Sequence, residues 1–315
     1  MAIRNRITAM LGVELPIVQA PMGWIARAPL ASAVSNAGGM GIIETSSGDT
    51  AAIQEEIHKM ADLTDKPFGV NIAQAFVRDP SIVDFIIDSG VDFVTTSAGN
   101  PHKFAPKLKA AGLTVFHVVP TLAGALKAIE AGVDGLIVEG GEGGGFKNPR
   151  PVSSMVLLPL IASKVDVPII AAGGMLDGRT MAAAFALGAE GIQMGTRMVS
   201  AAESPIHDNW KQSIVNAAET DTILLNEHTS PALRVLATET TLGFRGDESR
   251  NAMELAAGIQ DLYFGGDMNA SIALTGQVAG RIDSIRPVAE ILRECAEDCE
   301  ALLRRLASEH LSEDA

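Results

Sequence analysis

The chain has 315 residues, 47% of them hydrophobic and 31 of them glycine, which suits one large core with many tight turns. Lys and Arg number 24 against 38 Asp and Glu, giving a net charge of −14 and a pI near 4.8, so the overall field repels nucleic acid and anionic membrane. The N-terminus lacks an uninterrupted apolar run and no stretch approaches the ~18 apolar residues of a membrane span, so a cytoplasmic protein with a small-molecule substrate is expected.

Short apolar runs, each followed by a turn signal, predict eight strands at 16–19, 41–44, 68–72, 93–97, 114–119, 135–139, 168–172 and 191–194. Ala-rich helical patterns lie between them at 28–37, 50–61, 80–89, 101–111, 122–131, 152–163 and 179–187, many ending at glycine as a helix C-cap does. Strand, helix, strand at this spacing is the grammar of a parallel sheet, and eight such units close an α/β (β/α)₈ TIM barrel. A doubly wound sheet is the alternative, but the dinucleotide fingerprint is missing: Gly39 and Gly41 lack the third glycine, whose place Glu44 takes. After Arg197 the rhythm stops. Residues 1–200 therefore read as the barrel core, and 201–315 as a loop and helical extension over the barrel mouth within the same unit, closed by an amphipathic helix at 289–306. The segment 240–267 reads as an excursion over the mouth or a subunit contact. Cys295 and Cys299, with no His or Cys nearby, read as reduced thiols, and no metal site is expected.

Three glycine turns close apolar strands: Glu139-Gly-Gly-Glu-Gly-Gly-Gly-Phe146, Ala171-Ala-Gly-Gly-Met175 and Gln193-Met-Gly-Thr-Arg197. In such a barrel a phosphate commonly lodges between the loops after strands seven and eight. Here that places Gly173, Gly174, Gly195 and the Thr196 hydroxyl around it, with Ala172 and Met194 beside them. The glycines after strand six, Gly144 and Gly145 among them, leave room for a planar ring. One phosphate and one flat ring at a barrel mouth fit flavin mononucleotide (FMN). The segment Gln19-Ala20-Pro21-Met22-Gly23-Trp24 would lie under or beside the ring, and Asn71 would meet its polar edge. Trp24 is a candidate substrate wall. Glu142 is placed either toward a flavin hydroxyl or in solvent, and Lys147 and Arg150 are candidates to attract an anion. His117 is the one histidine of six near a strand end and the candidate base; His207 reads as a helix start, and His58, His102, His228 and His310 as surface residues.

Gln19–Trp24, Asn36–Ile42, Pro67–Asn71, the glycine-rich loop, Ala171–Arg179 and Gln193–Arg197 together resemble the nitronate monooxygenase family over roughly residues 3–285. The resemblance extends to FMN-dependent enoyl-acyl carrier protein reductases and NAD(P)H:quinone reductases. It implies non-covalent FMN held by Ala20, Pro21, Met22, Asn71, Gly144, Ala172, Gly173, Gly174, Gly195 and Thr196, and a homodimer. It also implies that residues 265–277 return to cap the pocket, with Met268, Thr275 and Gln277 as substrate contacts. The departure is Phe146, where the family commonly carries a histidine proposed as proton acceptor or donor; phenylalanine moves no proton. The expected activity is thus oxidation of a pre-formed alkyl nitronate with O₂ to a carbonyl compound and nitrite. The alternatives are a flavin reductase using NAD(P)H as co-substrate on a quinone or enoyl thioester, and a barrel that binds FMN without turnover.

Overall fold

Alternation along eight short parallel strands sorts the side chains of the barrel into two populations. The computed structural model describes residues 3–311. The barrel strands are β1 (Ile17–Gln19), β2 (Gly41–Ile43), β3 (Phe68–Ala73), β4 (Phe93–Ser97), β5 (Thr114–Val119) and β6 (Gly135–Glu139), followed, after a short outlying strand β7 (Gly145–Lys147), by β8 (Ile169–Ala172) and β9 (Gly191–Met194). All pair in parallel in the order β1-β9-β8-β6-β5-β4-β3-β2. The ring closes where Gln19 N donates to Met40 O at 3.0 Å and Met40 N to Ile17 O at 2.9 Å, bringing the start of β2 against β1.

Inward positions carry Val18, Ile42, Phe93, Phe116, Ile137 and Ile170, and Ile7 and Leu11 of the helix Arg6–Leu11 join that same cluster. Phe93 and Phe116 meet edge to face at 5.4 Å. These large side chains make the barrel interior a packed plug, so a ligand has room only at the strands' C-terminal ends. Outward positions, such as Val94, Val115, Leu136 and Ile192, belong to the larger core shared with the helices. Gly41 shows how tightly that layer packs: a Cβ there would lie 2.0 Å from Ala31 O.

Past the barrel the chain differs from the expected mixture of loop and helix. Residues Thr222–Leu225 (β10) and Ala232–Leu236 (β11) form an antiparallel hairpin, and β11 pairs with β7 so that Leu233 faces Phe146. Arg234 Nε also donates to Gly141 O at 2.8 Å. The hairpin therefore fixes the glycine-rich loop from above. Residues 252–278 contribute Met253, Tyr263, Leu274 and Gly276 to the mouth. The final helix, Val288–His310, lies instead on the barrel's flank against the helices Gly178–Ala186 and Ala28–Asn36. Gly178 permits this approach, since a Cβ there would lie 2.4 Å from Cys299 N. Cys295 and Cys299 are buried free thiols facing that contact, and burial raises both, Cys299 to about 11. No helix among the described residues is long and apolar enough to cross a membrane.

Candidate functional site

A cavity of about 730 Å³ opens at the C-terminal ends of the strands. Ala20, Pro21, Met22 and Gly23 line it after β1; Ala172, Gly173 and Gly174 after β8; Gly195 and Thr196 after β9; Asn71 lines it from β3, and Gly144 and Gly145 from the glycine-rich loop. Met194 departs from the expected set. Alternation in β9 turns Gln193 inward and Met194 outward, and the Met194 side chain is fully buried in the helix-facing core.

The two phosphate-type loops leave backbone exposed to the cavity for different reasons. Gly173 and Gly174 have φ of 78° and 81°, conformations that other residues adopt only with strain. Gly195 has ordinary dihedrals, but a Cβ there would meet only Ala20 Cβ at 3.5 Å and Met22 Sδ at 4.0 Å and would occupy the cradle itself. Thr196 Oγ1 accepts from Gly276 N at 2.8 Å, which ties the cradle to the returning chain and leaves the hydroxyl proton free to donate. Gln193 Oε1 is buried in the lining without a hydrogen-bond partner among the described residues, an acceptor open to a donor.

The glycine-rich loop owes its composition to its own packing rather than to a planar ring alone. A Cβ at Gly141 would lie 2.7 Å from Pro151 Cβ, at Gly143 2.6 Å from Glu139 Oε1, and at Gly144 2.8 Å from Gly276 N. Glu142 borders the cavity, but its carboxylate accepts from Ser154 N and Ser154 Oγ, both at 2.9 Å, at the start of the helix Ser154–Ala162. Glu142 is therefore not a freely solvated carboxylate, while it keeps its place in the cavity lining.

Asn71 Nδ2 donates to Thr95 Oγ1 at 2.9 Å, and Ser97 Oγ donates to Asn71 Oδ1 at 3.3 Å, so Asn71 both borders the mouth and ties β3 to β4. Lys147 lines the cavity as expected but is not a free cation: its ammonium donates to Glu139 Oε1 at 2.5 Å, with only 4% of its side chain exposed. Arg150 is exposed and outside the lining. Phe146 stacks on Phe76 with centroids 5.4 Å apart and planes 30° apart, making an apolar wall.

Other expected residues stand elsewhere. Trp24 has φ of 66°, its N–H donates to Glu44 Oε1 at 3.2 Å, and Arg27, paired to Glu44 at 2.9 Å, sits over its ring. It anchors the loop behind Gly23 and is not a substrate wall. Met268, Thr275 and Gln277 are also outside the lining; Thr275 is fully buried, accepting from Trp210 Nε1 at 3.2 Å, and Gln277 is exposed. Their neighbours Leu274, Gly276 and Val278 line the cavity in their place. His117 leaves β5 on the helix-facing side, because Phe116 and Val118 take the inward positions. Its Nδ1 lies 2.7 Å from Thr96 Oγ1, and burial pushes its pKa down to about 4 against a smaller upward pull from Thr96. It borders the cavity's outer edge as a neutral ring, which is a poor base for a C–H proton. His207 caps the helix Asp208–Val215, accepting from Asn209 N at 3.1 Å. Phe76, Tyr263, Met253 and Gln193 line the site without having been singled out; only Gln193 carried a signal, its inward parity in β9.

The sequence profile of nitronate monooxygenase matches residues 4–84 and 74–298. The chain belongs to that family. It is 38% identical over 237 residues to a 5-hydroxy-7a-methyl-1-oxo-octahydro-indene-4-carboxyl-CoA dehydrogenase of Rhodococcus jostii, covering 75% of this chain and 67% of that one. It is 31% identical over 265 residues to a probable nitronate monooxygenase of Staphylococcus aureus, covering 70% and 75%. Among solved structures, FabK from Thermotoga maritima superposes with a TM-score of 0.91 at 37% identity over 97% of this chain and 99% of that one. A nitroalkane oxidase of Streptomyces ansochromogenes, at 24% identity and a TM-score of 0.83 over 96% and 100%, shares the fold. The protein is an oxidoreductase of a flavin-dependent family. The residues present suit a flavin: backbone at Gly173, Gly174, Gly195 and Thr196 for an anion, and the unpartnered Gln193 Oε1 within the same mouth.

Proposed function

We propose that the protein binds FMN and acts on the carbon–carbon bond beside an acyl thioester, interconverting the saturated and α,β-unsaturated forms, with NAD(P)H as the candidate partner reductant. The observation that carries this reading is the neutral, apolar wall at the mouth. Phe146 packs on Phe76, and the lysine beside it is already paired with Glu139. A neutral acyl chain fits such a wall, whereas an anion loses its hydration there without a free cation in return. The 38% identity to a carboxyl-CoA dehydrogenase supports the same substrate class.

Bound FMN supplies reversible two-electron chemistry, and the chain supplies placement. Gly173, Gly174, Gly195 and Thr196 hold the phosphate, while Ala20–Gly23, Asn71 and Gln193 orient the ring. Reduction of an enoyl thioester adds a hydride at Cβ and a proton at Cα. Tyr263 lines the cavity, and burial raises its pKa above the ordinary phenol value, so its hydroxyl stays protonated at neutral pH. It is the group we assign to hydrogen-bond the reacting acyl unit. Phe146, Phe76, Met253 and Leu274 exclude water from that unit.

Nitronate oxidation with O₂ is the second reading. It is favoured by Phe146, because a substrate that has already lost its proton needs no base. Two anaerobic experiments separate the readings: enzyme reduced by NADH or NADPH is mixed with crotonyl-CoA, and oxidised enzyme is mixed with propyl-2-nitronate. Rapid reoxidation by crotonyl-CoA, with no reduction of the oxidised flavin by nitronate, is the expected result; flavin reduction by nitronate without reoxidation by crotonyl-CoA overturns the thioester reading.

A further inference from the structure

The cavity continues past the barrel mouth. Beyond the ends of β4 and β5 it is bordered by Gly99, Pro101, His117, Pro120, Gly124 and Lys127. The last two belong to the helix Leu122–Glu130, outside the barrel wall, so the space reaches outward as an arm. Two nitrogen-bearing side chains border it. Lys127 is exposed and makes no side-chain hydrogen bond or ion pair among the described residues, whereas Lys147, the other lysine of the lining, is spent on Glu139. His117 contacts Thr96 through Nδ1, and Nε2 has no partner among the described residues.

The Thr96 hydroxyl is fully buried and Nδ1 is its one side-chain partner among the described residues, so donation to Nδ1 satisfies its proton. That arrangement puts the ring proton on Nε2. Burial keeps the ring uncharged at neutral pH, which makes it a fixed hydrogen-bond donor. A chain with a net charge of −14 repels phosphates at long range, so an anionic tail needs a local cation and aimed donors to stay.

We propose that this arm is a subsite for the adenosine diphosphate tail of a cosubstrate, with His117 Nε2–H donating to an oxygen of the tail and Lys127 pairing with a phosphate at the rim. Coenzyme A thioesters and pyridine nucleotides both carry that tail. Only the first of these sources rests on the thioester reading above.

ADP is the probe, titrated calorimetrically into the FMN-loaded protein, so that no turnover is needed. Lys127→Glu is expected to weaken ADP about three- to tenfold at low salt, with the difference vanishing toward 0.5 M, since an exposed pair contributes modestly and is screened. His117→Leu is expected to weaken it similarly and His117→Gln, which restores an N–H near Nε2, to recover most of the loss; melting curves check that each variant folds. Equal ADP affinity in wild type and Lys127→Glu, or no ADP binding to the wild type at millimolar concentration, overturns the subsite. Two kinetic arms then name the source. A several-fold fall in the ratio of kcat/KM for a CoA thioester to that for its N-acetylcysteamine analogue, on introducing Lys127→Glu, assigns the tail to the acyl carrier. A fall in the rate of flavin reduction by NADH or NADPH assigns it to the pyridine nucleotide; an unchanged result in both arms overturns the proposal. Absence of turnover with either thioester counts against the thioester reading, while the ADP titration still decides the subsite.

Discussion

Lys147 and Glu139 are bound to each other across the glycine-rich loop, Nζ to Oε1 at 2.5 Å, with Gly143 so close that a Cβ there would lie 2.6 Å from the carboxylate. The pair fills a place where a free cation would otherwise meet substrate. Breaking one partner of a largely buried pair strands the other, and Glu139, with 26% of its side chain exposed, recovers part of its hydration. Lys147→Met is therefore expected to cost about 1–3 kcal/mol in urea unfolding, and Glu139→Gln in the same chain to restore most of it. If Lys147→Met is as stable as wild type and instead abolishes turnover of an anionic substrate, the lysine serves the ligand and not the loop.

Gly195 offers the cleanest test of the phosphate cradle. Its φ is not left-handed and a new Cβ would make only ordinary van der Waals contacts, so Gly195→Val is expected to fold and to block the ligand. Losing two charge-assisted hydrogen bonds at about 1.5–3 kcal/mol each predicts at least about a hundredfold loss of FMN affinity, read by flavin fluorescence. Gly174→Val confounds the two effects, because φ of 81° adds backbone strain. Wild-type FMN affinity in folded Gly195→Val would place the phosphate elsewhere.

His117 makes stability depend on pH in a defined direction. Its pKa is pushed down by burial from 6.5 to about 4, so below pH 6.5 the unfolded chain takes up a proton that the folded chain resists. Stability contributed through this residue is complete above pH 6.5 and falls as pH drops toward 4, by on the order of 2–3 kcal/mol. His117→Gln, which does not titrate, should lose less stability than wild type between pH 7 and pH 4.5. Parallel curves for the two proteins would show that His117 ionises as freely folded as unfolded.

Phe146 bears on the nitronate reading. Its ring lines the cavity and stacks on Phe76, so Phe146→His gives up about 0.5–1.5 kcal/mol of ring packing while placing an imidazole at the mouth. General base catalysis is worth about 10²–10⁴-fold, so the variant is expected to lower the nitronate-to-nitroalkane ratio of kcat/KM, which should be large in the wild type. A wild-type ratio near one would mean that another group removes the proton. His117, neutral and facing the helices, would then be an unsuitable base, and the carboxylates of the lining, Glu139 and Glu142, the next to test.

The sequence by itself determined the barrel, because the signals involved are local. Eight apolar runs with glycine or polar residues behind them require nothing but their own periodicity, and the observed strands match them to within a residue or two. The glycine turns at the mouth were legible for the same reason: Gly173, Gly174 and Gly195 announce backbone exposed to the cavity in the residue type. The hairpin β10–β11 was missed although Thr222–Leu225 and Ala232–Leu236 are short β-prone runs, because its stability comes from pairing with β7 some eighty residues earlier. Tertiary structure alone decided what each side chain at the mouth is free to do. Strand parity turned Met194 and His117 away from the barrel centre, while partners distant in sequence or across a loop occupied Glu142, Lys147, Thr275 and Trp24. A residue type states which bonds a side chain can make, but only the packed fold states which of them are already made.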